Sequence, residues 1–163
     1  MLRDRLGDSL SHEHIFDGTL VENLTLARPG ISSADLNKVL EITELSDWVS
    51  ALEEGLQTSL VASGKGLPSS ISKRLVLARS LLGKPKLVLF DDFFFNLESG
   101  FKKRLFHRLL REKKMACTFI ISSHDPLVLQ SVDRVLVMQD GQTVLSGTYA
   151  QIREHEMVKS LIL

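Results

Sequence analysis

The 163-residue chain has one cysteine (Cys117), one tryptophan, one tyrosine and four prolines, and no surplus of charge of either sign. A single thiol excludes an internal disulfide and points to a reducing compartment. Twenty basic residues against twenty acidic ones leave a formal net charge of zero. There is then no basic excess to displace phosphate counterions, and nucleic acid is not expected as a partner. No apolar run approaches the roughly 20 residues that cross a bilayer, and the opening Met1-Leu2-Arg3-Asp4-Arg5 carries no signal-peptide apolar stretch. Work at a membrane is expected to go through a partner. What is present, 44% apolar and 25% charged residues, describes one soluble globular domain with a sizeable core rather than a disordered chain.

The hydrophobic pattern predicts a helix from Ser32 to Leu45, opened by a capping-box-like Ser32 and Asp35, and a short helix after Ser46 that holds Trp48 and stops at Gly55. Gln57 to Ser70 reads as a loop, and Ile71 to about Leu82 as a helix closed by Gly83, with Pro85 just beyond. Lys86-Leu87-Val88-Leu89-Phe90 and Thr118-Phe119-Ile120-Ile121 are continuous apolar runs of strand length, joined by a helix over Leu97 to Lys114. Such a βαβ unit predicts a parallel sheet buried on both faces. Arg134 to Met138 and Thr143 to Leu145 flank Asp140-Gly141, a hairpin signal, and a last helix runs from about Tyr149 to Leu161.

Ligands of an open parallel sheet gather at the carboxyl ends of its strands. One predicted strand ends in Asp91-Asp92 and its neighbour in Ser122-Ser123-His124. Adjacent carboxylates repel unless a cation offsets them, and Mg²⁺ held through one carboxylate and water is the usual remedy in phosphate chemistry. His124 could donate a hydrogen bond to a phosphoryl oxygen or a water. Each feature alone is a weak signal, a lone histidine after a strand being more often structural; their joint placement on adjacent elements favours function. The clusters Lys102-Lys103-Arg104 and Arg111-Glu112-Lys113-Lys114 read as the wet face of a helix, and His107 and His155 as solvated. His12-Glu13-His14 could suggest a metal site but has no third ligand in view. Phe93-Phe94-Phe95 is either an exposed contact patch or core packing at a strand–helix corner, and Cys117 an inert small hydrophobe.

Leu87-Val88-Leu89-Phe90-Asp91-Asp92 resembles the Walker B strand of ATP-binding cassette (ABC) nucleotide-binding domains. Phe93 to Glu98 keeps the length of that family's D-loop, Ile120 to His124 resembles its switch-histidine loop, and Asp133 to Met138 with Asp140-Gly141 its terminal hairpin. Ile15 to Leu24 and Gly55 to Gly66 resemble segments of exporter-type members, and Leu67-Pro68-Ser69-Ser70-Ile71 falls where the Leu-Ser-Gly-Gly-Gln signature stands. The resemblance covers residues 10 to 152, with these motifs in the family's order and spacing.

It implies an α/β fold: a P-loop NTPase-like parallel sheet with a helical subdomain (about 30–82) and, within 86–163, the Walker B strand, switch histidine and a C-terminal β-hairpin, incomplete because the first strands and the phosphate loop are missing. It implies ATP and Mg²⁺ as cofactors, Asp91 as the metal ligand, Asp92 and His124 as catalytic groups, and His12 (or Ser11, one register away) at the Q-loop. Leu67, Pro68, Ser69, Ser70 and Ile71 would contact nucleotide. The implied partners are a second nucleotide-binding domain and a transmembrane domain, fused upstream, at the cytoplasmic face of a membrane.

The departures are equally specific. Gly-x-x-x-x-Gly-Lys-Ser/Thr occurs nowhere in the sequence, so this chain alone is expected to lack most nucleotide affinity and to be inactive. Pro68 offers neither N–H nor hydroxyl where the signature has serine. Asp92 is one methylene shorter than the family's glutamate, which slows a general base. The expected function is therefore the ATPase of an ABC transporter, truncated and degenerate in its motifs. The alternative is a non-hydrolysing interaction or regulatory module.

Overall fold

In a computed structural model of the protein, the described residues are 6–9, 15–94, 97–111 and 116–162, with the main chain alone for 6–9 and 111. The chain divides into two compact units, residues 1–93 with 115–121 and residues 94–114 with 122–163.

The first unit is organised around one long helix. β1 (Leu6–Ser9) is followed by the two-residue strand β2 (Gly18–Thr19), α1 (Leu20–Thr25), α2 (Ser33–Ile42), α3 (Ser46–Ser50), β3 (Ser59–Leu60), α4 (Ser69–Leu82) and β4 (Leu87–Asp91). α2 starts as its sequence demands: Ser32 and Asp35 form a reciprocal capping box, and Leu36, Val39, Leu40 and Ile42 are buried. The helix ends at Ile42, short of the expected Leu45, with the Thr43 hydroxyl turned back onto the Val39 carbonyl at 2.9 Å. α4 runs against α1, α2 and β1, and every residue from Leu75 to Leu82 on it is buried. Gly83 closes it without a left-handed turn (φ −72°), and Lys84 takes the positive φ instead. The missing side chain matters here for space: a Cβ on Gly83 would stand 3.1 Å from Arg28 Nη1.

β1 pairs in parallel with β4, in the register Leu6–Leu87 to Ser9–Phe90, and β5 (Thr118–Ser122) lies on the other side of β4. The expected burial of both faces holds for neither strand in full: on β4 Val88 and Phe90 share one buried face while Leu87 and Leu89 opposite are half-buried, and on β5 Ile120 is 57% exposed. Among the described residues β5 is an edge strand with a neighbour on one side only, so its apolar run is not enclosed.

The second unit holds α5 (Ser99–Phe106), α6 (Pro126–Ser131), the hairpin β6 (Val135–Gln139) and β7 (Gln142–Gly147), α7 (Tyr149–Ile152) and α8 (Glu156–Leu161). α5 passes into a π turn over His107–Arg111 rather than continuing as regular helix, and Glu112 to Lys114 lie outside the described residues. The hairpin forms where Asp140-Gly141 predicted it, both residues having positive φ as the tight turn requires, with a bulge at Val137/Met138. The expected terminal helix is two. His155 is extended (ψ 135°) and its Nδ1 accepts the Met157 N–H at 3.3 Å, restarting the helix. The break lets Ile152 and Val158 both join Val135 and Val137 in one core.

Candidate functional site

β4 carries Asp91 as its last residue, and Asp92 follows with φ +44°. Both side chains are exposed. Aspartate is among the few residues that visit this left-handed region routinely, and the turn takes Asp92 out of the strand's alternation. Two carboxylates thus stand at the carboxyl end of a strand paired in parallel with β1. Phe93 next in line is buried with its ring 5.4 Å from Phe90. In the second unit Phe94 is fully buried, 4.8 Å from the ring of Phe106. Two of the three phenylalanines are core, therefore, and Phe95 lies outside the described residues.

Also in the first unit, the signature-like stretch leads straight into α4. Gly64 (φ +65°) and Gly66 (φ +91°) turn the chain, the Leu67 N–H donates to the Gly64 carbonyl at 2.9 Å, and the Pro68 carbonyl accepts from Ile71 and Ser72 at 3.0 and 3.1 Å. Pro68 occupies the N-cap of α4 with no side-chain cap. Pro68, Ser69 and Ser70 are exposed, and Leu67 and Ile71 half-buried. The main-chain N–H groups of Ser69 and Ser70, at the start of a 14-residue helix, face the end where an anion is stabilised.

The two exporter-like segments meet each other. Gly18 and Thr19 pair antiparallel with Leu60 and Ser59, the Ser63 N–H donates to the Ile15 carbonyl at 2.7 Å, and Asp17 Oδ1 accepts the Ala62 N–H at 2.7 Å. Behind them lies a network that sequence reasoning missed. Arg79 of α4, buried, donates from Nε to the Asn23 carbonyl at 2.8 Å and from Nη2 to Asn23 Oδ1 at 3.2 Å. Its guanidinium also stands 5.8 Å from the centre of the Phe16 ring. Trp48 is half-buried in α3.

In the second unit His124 is exposed on the short loop between β5 and α6. The residue after it, Asp125, caps α6 through Oδ1, which accepts the Leu127 N–H at 2.9 Å, and its Oδ2 pairs with Lys102. Burial pushes the Asp125 carboxyl up, but the hydrogen bonds from Lys102 and the Leu127 amide prevail and hold it below the ordinary carboxylate range. Lys102 is buried, which corrects its expected place on the wet face of the helix; only Lys103 and Arg104 of that cluster are exposed. A lysine three residues before the buried Leu105 sits on the apolar stripe, and that spacing was the available signal. His107 and His155 are exposed as expected. Burial raises the Cys117 thiol, partly offset by Lys86, which suits an inert thiol.

His12 and the His12-Glu13-His14 metal reading lie outside the described residues. Among the described residues no group of three His, Cys, Asp or Glu could hold a metal. The chemistry present fits Mg²⁺ instead, which takes one or two carboxylates plus substrate oxygens rather than a protein cage. A cavity of about 390 Å³ lined by Arg28, Ile31, Asp35, Ser80 and Lys84 contains none of the sequence-predicted site residues. No helix among the described residues is long and apolar enough to cross a membrane.

A parallel strand ending in paired carboxylates places this unit among the α/β proteins, whose ligands gather at the carboxyl ends of such strands. Comparison with known proteins narrows the class. The homologues of this chain are ATP-binding and permease proteins of ABC transporters, matched over a C-terminal portion of their length. The chain is 31% identical over 136 residues to a mesentericin transport/processing ATP-binding protein of Leuconostoc mesenteroides, covering 83% of this chain and 18% of the relative. It is 26% identical over 151 residues to a fatty acid ABC transporter ATP-binding/permease protein of Mycobacterium tuberculosis, covering 93% of this chain and 24% of that one. It is 27% identical over 154 residues to an alpha-hemolysin translocation ATP-binding protein of Escherichia coli, covering 93% and 21%. No family model matches the chain. A solved bacterial Atm1-family ABC exporter with ATP bound superposes with a TM-score of 0.86 at 21% identity, over 98% of this chain and 28% of that one. The chain thus belongs to the family of ABC transporter ATP-binding proteins, its fold matches part of an ABC exporter, and it spans under a quarter of the length of these sequence relatives.

Proposed function

We propose that this chain is the part of an ABC exporter's ATP-hydrolysing domain that meets the metal, the attacking water and the phosphates held by a partner domain. The observation that carries the reading is Asp91-Asp92, exposed at the carboxyl end of β4. Asp91 would hold Mg²⁺ through one carboxylate and water. Asp92 would accept a proton from the attacking water. His124 would donate a hydrogen bond to a phosphoryl oxygen or that water. Ser69 and Ser70 would offer N–H and hydroxyl groups to the terminal phosphate bound by a second such domain, on the loop shaped by Leu67, Pro68 and Ile71, and His12 stands as the Q-loop residue. Bound Mg-ATP supplies the phosphoryl group and the cation that offsets its charge. The second partner is a transmembrane domain, fused upstream as the names of the ATP-binding/permease relatives suggest, which places this domain at the cytoplasmic face of a membrane.

The test joins the phosphate-loop segment of the Escherichia coli relative to the start of this chain and measures Mg²⁺-dependent ATP hydrolysis. Turnover is expected, with Asp92→Asn lowering it about 100-fold or more, the usual share of a general base, and Asp91→Asn and His124→Ala each lowering it as well. A folded fusion without turnover, or turnover indifferent to all three substitutions, overturns the hydrolytic reading. Without that segment, calorimetric titration with millimolar Mg-ATP is expected to give no heat.

Pro68 favours a second reading, a non-hydrolysing regulatory module, because the N-cap of α4 carries neither donor. That reading expects the same fusion to bind Mg-ATP saturably without turnover.

A further inference from the structure

Lys102 is a lysine in a place that ordinarily excludes one. It lies one turn inside α5, with 7% of its surface exposed, between the buried Phe101 and Leu105. An ammonium taken out of water is tolerated only where a charge or strong acceptor receives it, and the acceptor here is Asp125. Asp125 belongs to the loop that carries His124.

We propose that the Lys102–Asp125 ion pair sets the position of His124, making Lys102 a positioning residue for the reaction assigned above; the inference rests on the reading of His124 as a phosphate-facing group. The loop is tied at every point but one. Ser123 Oγ accepts the Asp125 N–H at 3.2 Å. Asp125 gives one oxygen to the Leu127 amide and the other to Lys102. Pro126 at the first helical position confines the backbone of Asp125 to extended values, and its observed φ −75°, ψ 118° comply. Between these fixed neighbours only the His124 side chain is exposed.

The ties differ in what they fix. The bonds to Ser123, Leu127 and Leu129 are local and would travel with the loop; among the described residues the ion pair is the polar side-chain tie that reaches another element, α5, across 23 positions of sequence. That element is α5, which begins directly after the D-loop-like stretch, where Glu98 accepts the Gly100 and Phe101 amides at 2.6 Å each. The pair therefore couples the placement of His124 to the start of α5. Capping of α6 by Asp125 needs only Oδ1 and survives the loss of Lys102, which separates the positioning role from a structural one.

The experiment compares the wild-type chain with Lys102→Met and Lys102→Arg by ¹⁵N relaxation of the Ser123, His124 and Asp125 amides. In the wild type their order parameters are expected near ~0.85, the rigid-backbone value, and in Lys102→Met below ~0.6, with Lys102→Arg restoring rigidity. Hairpin amide shifts at Val135 to Gln139 report whether each variant folds. If Lys102→Met does not, Asp125→Asn replaces it, since asparagine retains a cap for α6 but no charge for Lys102. Unchanged order at Ser123 to Asp125 in a folded variant overturns the proposal. Failure of the functional reading shows separately, as turnover in the phosphate-loop fusion that His124→Ala leaves intact.

Discussion

Arg79 and Asn23, 56 positions apart in sequence, are joined through both the main chain and the side chain of the asparagine. Asn23 in turn grips Phe16 from two directions, accepting its N–H at 3.0 Å and donating to its carbonyl at 2.9 Å, and donates to the Thr19 carbonyl at 3.1 Å. Arg28 completes the chain by donating Nη1 to the Arg79 carbonyl at 3.1 Å. A helix that begins at the signature-like loop is thereby fastened to the exporter-like segment around Phe16.

Removing the asparagine side chain should therefore cost more than its size suggests. Asn23 is 1% exposed, so Asn23→Ala removes a buried side chain together with its bonds to the Phe16 amide, the Phe16 carbonyl and Arg79 Nη2. The expected loss is about 1–3 kcal/mol, the penalty for buried polar groups left unsatisfied. Urea unfolding followed by far-UV circular dichroism measures it. A loss within the roughly 0.5 kcal/mol typical of surface substitutions would mean that the network contributes little.

Asp35 gives a pH dependence with a defined window. Its carboxyl is held at about 2 by the Lys84 ammonium at 2.8 Å and by the Ser32 hydroxyl and amide. A carboxyl whose folded value lies below its unfolded one stabilises the fold fully above the ordinary range near ~4, and the contribution fades as pH falls through the folded value. The melting temperature is expected to drop between about pH 4 and pH 2, more steeply in the wild type than in Asp35→Asn. Identical slopes for the two proteins would remove Asp35 as a source of acid sensitivity.

How far the sequence could be read depended on whether the controlling contact was local. The capping box at Ser32 and Asp35 and the hairpin turn at Asp140-Gly141 need nothing beyond a few neighbouring residues, and both form; the strand Leu87–Asp91 was legible from its continuous apolar run although its partners are distant. Asp91, Asp92 and the stretch Leu67 to Ile71 stand at a strand end and a helix start as their motifs implied. Lys102 was misplaced despite its spacing from Leu105, because its acid partner lies 23 positions away and a charged side chain beside Lys103 and Arg104 looks like surface, and the contact of Asn23 with Arg79 spans 56 positions. The single terminal helix failed for a different reason. His155 competes for a backbone amide with its own ring nitrogen, a local alternative to the helical ladder that periodicity does not register.

Pro68 predicts a gain rather than a loss. With Pro68→Ser, the N-cap of α4 would acquire both an N–H and a hydroxyl beside Ser69 and Ser70. A hydrogen bond to a charged group is worth about 1.5–3 kcal/mol, so ATP turnover by the phosphate-loop fusion is expected to rise about tenfold or more. No gain in a folded variant would mean that this loop does not meet phosphate.

The phenylalanines at 93 to 95 offered two readings, a contact patch or a core, and Phe94 can be used to weigh them by energy. Its ring is fully buried and meets Phe106 at 4.8 Å and 50°, within the second unit, a tilted geometry that aromatic pairs favour. Truncating a core phenylalanine costs about 3–5 kcal/mol through lost transfer energy and the cavity left behind. Phe94→Ala is thus expected to lower stability by that amount, whereas Phe94→Leu, which keeps most of the volume, should cost less. A contact patch predicts the reverse pattern, near-unchanged stability in both variants and weakened association with a partner domain. Thermal unfolding of the two variants distinguishes them: a loss below about 1 kcal/mol for the alanine would contradict the core assignment, because a buried aromatic side chain cannot be deleted at so small a cost.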